Sequence, residues 1–360
     1  MAIRKRLRDL ALGAEQLRWQ IVKRQHANKD APGYVQFLLD GAYTDLPPER
    51  TRWWQGLLPQ EGKDLRTLGE ALQRVAADDR VAGVVLHLRA LELSLAQLQS
   101  LRGLIAELRA AGKRVIAWSP DYTTASYYAA CAADEILVQP GGSVSPVGLR
   151  NKLLHFKDTL EEIGVQMDAV QTSAFKSGPD TFTQNRPTEA SREMANWLLD
   201  DQFDLLLEGI ASGRGLTTEE ARALIDDAPY TDLKALEAGV VDGILSEEAL
   251  PARLSSGGRR PEVARWEEAE KAVLPLKPPA RTDRHIALLR VEGMIVPGES
   301  RRPPLQTPLF PAPVQTGDLT MVQRIRALQE DESVGAVVLW VDSPGGSSTA
   351  SEAITSAPMS

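Results

Sequence analysis

Three residues of this chain have types and neighbours that could do chemistry, and the first is Lys176. It lies in the irregular polar stretch 171–179, ahead of a helix that is predicted to begin near Thr188. An amine is a general base only when it is neutral, and burial favours the neutral form because desolvation disfavours the ammonium ion. On the residues alone an exposed loop lysine is the simpler interpretation, so both roles stay open.

The other two residues are Gly345 and Gly346, in the turn 342–347 between a strand-like run and a helical pattern. Pro344 fixes one dihedral angle, and the paired glycines let the backbone turn so that N–H groups face a ligand. Donors aimed at a developing negative oxygen form an oxyanion hole. A plain strand-to-helix turn is the alternative. The serines of this stretch are poor nucleophile candidates, because none lies in a Gly-x-Ser-x-Gly turn.

The remaining reactive side chains support no other chemistry. Cys131 is the only cysteine, which excludes an intrachain disulfide and a cysteine-cluster metal site. No group of histidine, cysteine and carboxylate residues has ligand spacing, so we expect neither a metal ion nor another cofactor. Packing or surface roles are expected for the four histidines, His26, His87, His155 and His285.

The elements that position these residues come from a duplicated sequence. The stretch 35–41 has a counterpart at 287–293, and the stretch 79–88 has one at 332–341. The offsets between the counterparts are 252 and 253 residues. Such a distance indicates duplicated domains rather than a solenoid, whose repeats are about 20–50 residues long.

Within the first copy, strand-like runs alternate with helical patterns, which predicts an α/β fold with mostly parallel, buried strands. Thr217 and Glu220 have the spacing of a capping box and predict the start of a helix. Further strands are expected at 84–88, 115–118 and 136–139, and helices at 95–110, 124–133 and 232–239.

The domain organisation follows from the duplication. We expect an N-terminal arm at 1–33, a first domain at 34–250 that carries Lys176, a linker at 251–284 and a second domain at 285–360 that carries the glycine turn. The first copy is about 215 residues long, so a complete second copy would extend to about residue 500. The sequence therefore predicts a fragment, or a product truncated in its second domain.

The N-terminal arm is basic although the whole chain has a net charge of −8, which argues against a dedicated nucleic-acid binder. Its apolar residues lie on one helical stripe, which suits either an anionic membrane surface or packing on protein. No apolar run is long enough for a membrane span, and no signal peptide is expected. The basic residues of the arm are Arg4, Lys5, Arg6, Arg8, Arg18, Lys23 and Arg24.

From about Tyr34 onward the chain resembles the signal peptide peptidase SppA family, in its long form with two tandem ClpP/crotonase-like α/β domains. In the second copy the resemblance lies in the strand and glycine loop at 336–347 and in the residues 349–352 that follow. In the first copy it lies in a helix-to-strand passage at 127–136, in Phe175-Lys176-Ser177 and in the helix-turn at 237–244.

The resemblance implies a Ser/Lys-dyad serine peptidase without a cofactor. Lys176 would be the neutral general base, and the amides of Gly345 and Gly346 would stabilise the oxyanion. The family's nucleophile lies in a Ser-Gly-Gly turn of the second domain, which we expect beyond residue 360. In the first copy Thr124 is near the place that corresponds to the nucleophile, but it lacks the Ser-Gly-Gly motif. At the place that corresponds to the glycine turn, the first copy has Leu91, Glu92 and Leu93 instead of the proline and the two glycines.

The implied function is hydrolysis of hydrophobic peptides, such as cleaved signal peptides, by a homo-oligomer. The family's usual membrane anchor is absent here, so we expect a protein facing the cytoplasm or peripheral on the inner membrane. One alternative is a non-catalytic scaffold or interaction protein with the same fold. A crotonase-like acyl-CoA enzyme is a weaker alternative, because it gives Lys176 no role.

Overall fold

The computed structural model describes residues 19–26, 29–47, 63–255, 260–276, 284–301 and 314–357. The chain forms two compact units, residues 1–277 and 278–360. Among the described residues, unit 1 contains two sheets and most of the helices. Unit 2 contains two pairs of strands and two helices.

Unit 1 is built on a six-stranded sheet in the order β8-β5-β3-β2-β1-β9, in which all neighbouring strands are parallel. A smaller sheet has the order β4-β6-β7. The predicted α/β fold with mostly parallel strands is therefore confirmed. The strands are β1 (Tyr34–Ala42), β2 (Gly83–Glu92), β3 (Arg114–Ser119), β4 (Tyr122–Thr123), β5 (Glu135–Val138), β6 (Ser143–Ser145), β7 (Tyr230–Thr231), β8 (Gly243–Ile244) and β9 (Val263–Arg265).

Several helices of unit 1 begin where polar side chains cap them. Ser94 and Gln97 form a capping box, and the predicted box of Thr217 and Glu220 is formed too. The helices are α1 (Leu65–Ala76), α2 (Leu95–Ala110), α3 (Thr124–Ala130), α4 (Lys157–Glu162), α5 (Asp180–Thr183), α6 (Glu189–Arg214), α7 (Thr218–Asp226), α8 (Asp232–Glu237), α9 (Leu250–Arg253) and α10 (Trp266–Ala269).

The core of unit 1 lies on both faces of the large sheet. Val84, Val85 and Leu86 in β2 are all fully buried, as expected for a central strand of a parallel sheet. The larger cluster includes side chains of α1, α2, α3 and α6, and the smaller one joins Trp118 to Leu250 and Leu254. The central sheet is thus a rigid support for the loops that leave it.

The segment expected as a linker contributes to unit 1. β9 pairs in parallel with β1, although it lies within the range 251–284. Further along, the Leu274 N–H donates to the buried Asp78 carboxylate, and Arg80 donates to the Ala272 carbonyl. A three-residue strand is too short to show a hydrophobic period, so the sequence pattern gave no sign of it.

Most of the predicted N-terminal arm lies outside the described residues. Residues 19–26 are helical, and the His26 ring lies 3.0 Å from the Val273 carbonyl oxygen through its Nδ1 atom. Arg80 also donates to the His26 carbonyl. The end of the arm is therefore hydrogen-bonded to the rest of unit 1.

Unit 2 repeats the first elements of unit 1. Its strands and helices are β10 (His285–Glu292), β11 (Met294–Val296), β12 (Gln315–Gly317), α11 (Asp318–Glu330), β13 (Val334–Asp342) and α12 (Ser348–Ser356). β10 pairs in parallel with β13, and β11 pairs in parallel with β12.

The strand register shows the duplication. Tyr34 is opposite Gly83 in unit 1, and Ile286 is opposite Ala336 in unit 2, which reproduces the sequence offsets of 252 and 253 residues. The strands β1 and β10 are followed by equivalent glycines with positive φ, Gly41 at 68° and Gly293 at 67°. The pairing of 34–39 with 83–88 therefore corresponds to that of 286–291 with 336–341, and β1 shifts its register on β2 beyond that range.

The two copies differ in what pairs with the second strand. β2 lies between β1 and β3, whereas β13 pairs with β10 alone among the residues that the structure describes. Several apolar side chains of β13 are exposed, namely Val337, Val338, Leu339 and Val341.

Candidate functional site

Lys176 lies in the loop between α4 and α5 of unit 1, and its side chain is exposed. It borders an open depression of about 460 Å³ whose lining includes Val170, Phe175 and Pro179. The amine is thus the charged group of a depression that both apolar and polar side chains line.

The backbone of this loop is fixed by short-range hydrogen bonds. The Lys176 N–H donates to the Ser173 carbonyl over 3.0 Å, and the Phe175 N–H donates to Ser173 Oγ over 3.1 Å. From the start of the loop, Gln171 Nε2 donates to the Lys176 carbonyl over 3.1 Å. Lys176 therefore extends from a structured turn.

Asp180 lies at the first position of α5, and only 4% of it is exposed. Its Oδ1 accepts from Gln171 Nε2 over 2.9 Å, and its Oδ2 accepts from Thr188 Oγ1 over 2.8 Å. Sequence reasoning did not identify Asp180, Gln171 or Thr188 as part of the site. No local spacing announces them, because their hydrogen bonds exist only once the loop has folded back on the start of α6.

The glycine turn of unit 2 needs both of its glycines. Gly345 has a φ of +101°, which strains other residues. A Cβ on Gly346 would lie 2.0 Å from the Ile295 carbonyl oxygen, a backbone atom that cannot move aside. The Ile295 N–H donates to the Gly345 carbonyl, and the Ser347 N–H donates to the Ile295 carbonyl. These bonds join the turn to β11.

The two backbone amides predicted for an oxyanion hole differ in their hydrogen bonds. The Gly345 N–H donates to Ser343 Oγ over 3.1 Å. The Gly346 N–H has no acceptor among the residues that the structure describes. In this arrangement Gly346 is the available donor, and Gly345 would first have to release Ser343.

The first copy has no equivalent turn. β13 ends at Asp342, but β2 continues to Glu92, which pairs with Ala42 of β1. Leu91 is buried in this extension. The stretch that replaces the glycines is therefore strand, and it presents no free pair of turn amides.

The hydroxyl groups near these sites are engaged in structural hydrogen bonds. Ser343 Oγ donates to the Gly293 carbonyl over 2.6 Å, and Ser347 Oγ accepts from Ala350 N–H at the start of α12. Thr124 Oγ1 donates to the Val147 carbonyl over 2.6 Å. None of the three is placed as a free nucleophile.

Three further observations concern thiol chemistry, metal binding and membrane spans. Burial raises the pKa of the Cys131 thiol to about 12, so it is not a thiolate nucleophile near neutral pH. Across the described ranges, no group of three or more His, Cys, Asp or Glu side chains is arranged to hold a metal ion. Nor does the described part of the chain contain a helix with the length and apolar character needed to cross a bilayer.

Comparison with known proteins gives consistent relatives. The sequence pattern of Peptidase family S49 matches residues 107–258, a range that includes Lys176. The chain is 30% identical to Protease 4 of Haemophilus influenzae over 347 residues, which cover 89% of this chain and 54% of that protein. It is 25% identical to the chloroplastic serine protease SPPA of Arabidopsis thaliana, covering 81% and 43%. Protease 4 of Salmonella typhi is 29% identical, covering 78% and 46%.

The chain thus spans about half the length of the curated relatives it matches. Among solved structures, the membrane-bound stomatin-specific protease 1510-N has 14% sequence identity and a TM-score of 0.35, covering 64% of this chain and 97% of that one. An enoyl-CoA hydratase/isomerase family protein from Silicibacter pomeroyi has 16% identity and a TM-score of 0.31, covering 52% and 67%.

Proposed function

Because this chain belongs to the signal peptide peptidase SppA family, within peptidase family S49, we propose that it acts as a serine-type endopeptidase on hydrophobic peptides such as cleaved signal peptides. The observation that carries the proposal is the position of Lys176. It lies inside the range matched by the family pattern, on a structured turn beside an open depression whose lining includes Val170 and Phe175.

In the proposed mechanism Lys176 is the general base of a Ser/Lys dyad. Its neutral amine takes the proton from a serine hydroxyl while the serine oxygen attacks the peptide carbonyl carbon. The resulting ammonium ion then gives the proton to the leaving amine, so that the C–N bond breaks and an acyl-enzyme remains. Water hydrolyses that ester with Lys176 again taking a proton.

The glycine turn would stabilise the tetrahedral intermediate. The N–H of Gly346 is the donor we assign first, and Gly345 joins it if its N–H leaves Ser343. We assign the nucleophile to no residue of the chain, since Ser343, Ser347 and Thr124 have structural partners.

The substrate class follows from the surface around Lys176. Val170 and Phe175 are exposed beside it, and a hydrophobic peptide would cover them. Burial of this apolar surface would contribute to binding and would exclude water from the amine. The exposed Val170 and Phe175 thus support an apolar peptide as the ligand of this depression.

Labelling with a fluorophosphonate probe tests the dyad. In a wild-type protein whose second domain includes the expected Ser-Gly-Gly turn, we expect labelling at a serine and its loss in Lys176→Ala, because the base activates the serine. Lys152→Ala is the matched control, since Lys152 is also an exposed lysine of the same part of unit 1. Labelling that is unaffected by Lys176→Ala would exclude this base. An unlabelled wild-type chain would favour the non-catalytic interaction protein.

We also propose that the basic arm contacts anionic membranes peripherally. The residues concerned, Arg4, Lys5, Arg6 and Arg8, lie outside the described residues. Their substitution by Ala should weaken sedimentation of the protein with vesicles of anionic lipid, because each basic residue near such a surface contributes about 1 kcal/mol. Vesicles of neutral lipid are the control. Unchanged binding to anionic vesicles would contradict the membrane contact.

A further inference from the structure

We propose that Asp180 is a positioning residue for Lys176 and acts through the side-chain amide of Gln171. The proposal rests on the proposed role of Lys176 as the general base. Asp180 does not touch the lysine amine. It holds the backbone from which the amine extends.

The burial of Asp180 needs an explanation. A buried carboxylate is costly unless hydrogen bonds compensate for the lost water. Within the described part of the chain, no lysine or arginine forms an ion pair with Asp180. Its carboxylate oxygens are instead occupied by two neutral donors from two different segments, Gln171 and Thr188.

The amide of Gln171 connects the carboxylate to the lysine backbone. Both Asp180 Oδ1 and the Lys176 carbonyl oxygen can only accept hydrogen bonds, so the donor at both places must be the Gln171 NH₂ group. Its nitrogen lies 2.9 Å from the first oxygen and 3.1 Å from the second. One hydrogen of the NH₂ group serves each acceptor.

The other carboxylate oxygen connects the loop to a long helix. Thr188 Oγ1 donates to Asp180 Oδ2 and accepts from the Ser191 N–H, as the N-cap of the 26-residue helix α6. A helix of this length that packs into the core is a rigid reference for a loop. The carboxylate therefore transmits the position of α6 to Lys176.

The backbone of Asp180 is fixed as well. His155 Nδ1 lies 3.2 Å from the Asp180 carbonyl oxygen and must donate to it, since a carbonyl only accepts. The Asp180 N–H donates to the Ser177 carbonyl over 3.0 Å. Asp180 is thus held from both sides, and the exposed Lys176 loop is held by Asp180.

The consequence is that the Lys176 amine is held in a precise position. A general base must lie within hydrogen-bond reach of its proton, and a misplacement of about 1 Å can cost a hundredfold in rate. Without Asp180 the loop would keep only its short local bonds. We therefore expect loss of this carboxylate to lower kcat and to leave KM nearly unchanged.

Hydrogen exchange and kinetics on the full chain test the proposal with two variants, Asp180→Asn and Gln171→Glu. Gln171→Glu removes the NH₂ donors at an exposed position and places a second carboxylate against Asp180. Asp168→Asn is the control, because Asp168 is an exposed carboxylate of the same region. In both variants the amides of 172–178 should exchange several-fold faster, while those of β2 keep the wild-type rate.

The kinetic readout separates positioning from general damage. For enzyme titrated with the fluorophosphonate probe, we expect kcat to fall about tenfold or more in both variants with KM within about twofold of wild type. Thr188→Ser should keep nearly the wild-type kcat and KM, since it retains the hydroxyl group, whereas Thr188→Val should behave like Asp180→Asn.

Three results would overturn the proposal. The first is unchanged exchange at 172–178 in Gln171→Glu, which is expected to fold whatever Asp180→Asn does. The second is faster exchange across all of unit 1, which would make Asp180 a general stability residue. The third is an unchanged kcat. If a wild-type protein that includes the expected Ser-Gly-Gly turn has no peptidase activity, Lys176 loses its role as base, and the exchange result then decides alone whether Asp180 holds the loop.

Discussion

Several polar side chains are buried in unit 1, and Asp180 and His87 are two of them. His87 is only 5% exposed and lies in the central strand β2. Arg89 Nε donates to His87 Nε2 over 3.0 Å, and Glu247 Oε1 lies 3.4 Å from its Nδ1. The ring of Trp118 packs edge-on against the imidazole. His87 is thus held neutral between a cation and an anion.

The environment of His87 makes stability depend on pH. Burial lowers the pKa of His87 below its ordinary 6.5; Glu247 opposes this, while Arg89 and Arg265 reinforce it. As pH falls through about 6.5, the unfolded chain takes up a proton that the folded protein does not, so the free energy of unfolding decreases. We expect this loss between about pH 7 and the lower pKa of the folded state.

Urea denaturation at pH 7.5 and pH 5.5 measures the effect. His87→Gln should lose less stability between the two values than wild type, because it cannot titrate. His285→Gln is the control, since His285 is an exposed histidine of unit 2. Equal losses in wild type and His87→Gln would show that His87 does not set this dependence.

At this scale the sequence predicts functional residues only where local pattern and resemblance meet, and their roles stay predictions. Lys176 was identified through the residues on either side of it, and Gly345 and Gly346 through their place after a strand. Asp180 was missed because its partner Thr188 is eight residues away and meets it only in the folded loop. The occupation of the Gly345 amide by Ser343 also depends on side-chain geometry that no spacing reports.

At the scale of elements, helix α6 packs closely against α3 through glycines. A Cβ on Gly213 would lie 2.0 Å from the Cys131 carbonyl oxygen, and one on Gly209 would lie 2.1 Å from the ring of Tyr128. Arg102 donates to the carbonyls of both Tyr128 and Gly209 and joins the two helices. The helix that anchors the Lys176 loop is therefore seated directly on the core.

Two glycine-to-alanine substitutions should have opposite effects on stability. Gly213→Ala forces backbone apart and should lower the free energy of unfolding by about 1–3 kcal/mol. Gly103→Ala, in the exposed middle of α2 with no heavy atom near the added Cβ, should raise it by about 0.5–1 kcal/mol. Chemical denaturation compares the two, and a neutral Gly213→Ala would contradict the close packing.

Helices and strands were predicted well where the sequence pattern is contiguous and extends over several residues. The alternation of strands and helices and the capping box of Thr217 agree with the structure. The helix expected at 124–133 ends at Ala130, because the chain turns directly into β5. β9 was missed because it acquires its identity by pairing with β1, a long-range contact.

At the scale of the whole molecule, apolar surface is concentrated in one stretch of the chain. The exposed large apolar residues of unit 1 cluster in the range 147–198, where Trp197 is 78% exposed and Val170 is 99% exposed. Exposed apolar patches of soluble proteins mark interaction sites. We expect a second copy of the chain to cover part of this surface, as proposed for a homo-oligomer.

Light scattering on the protein as it elutes from a size-exclusion column measures its mass in solution and tests this expectation. The wild-type chain should have a multiple of its 39.3 kDa mass, and Trp197→Lys should shift the population toward the monomer. Leu233→Lys is the control, because Leu233 is exposed on α8, outside the range 147–198. A wild-type chain that is monomeric at micromolar concentration would contradict the prediction.

Among the described residues one edge of β13 is unpaired, and this edge also matters for handling the protein in solution. Its N–H and C=O groups and its exposed valines form a template onto which an extended segment of another molecule can add, as in ordered aggregates. Precipitation should therefore start at this strand when the protein is concentrated. Val338→Lys places a gatekeeper charge there and is the change we would make first for solubility.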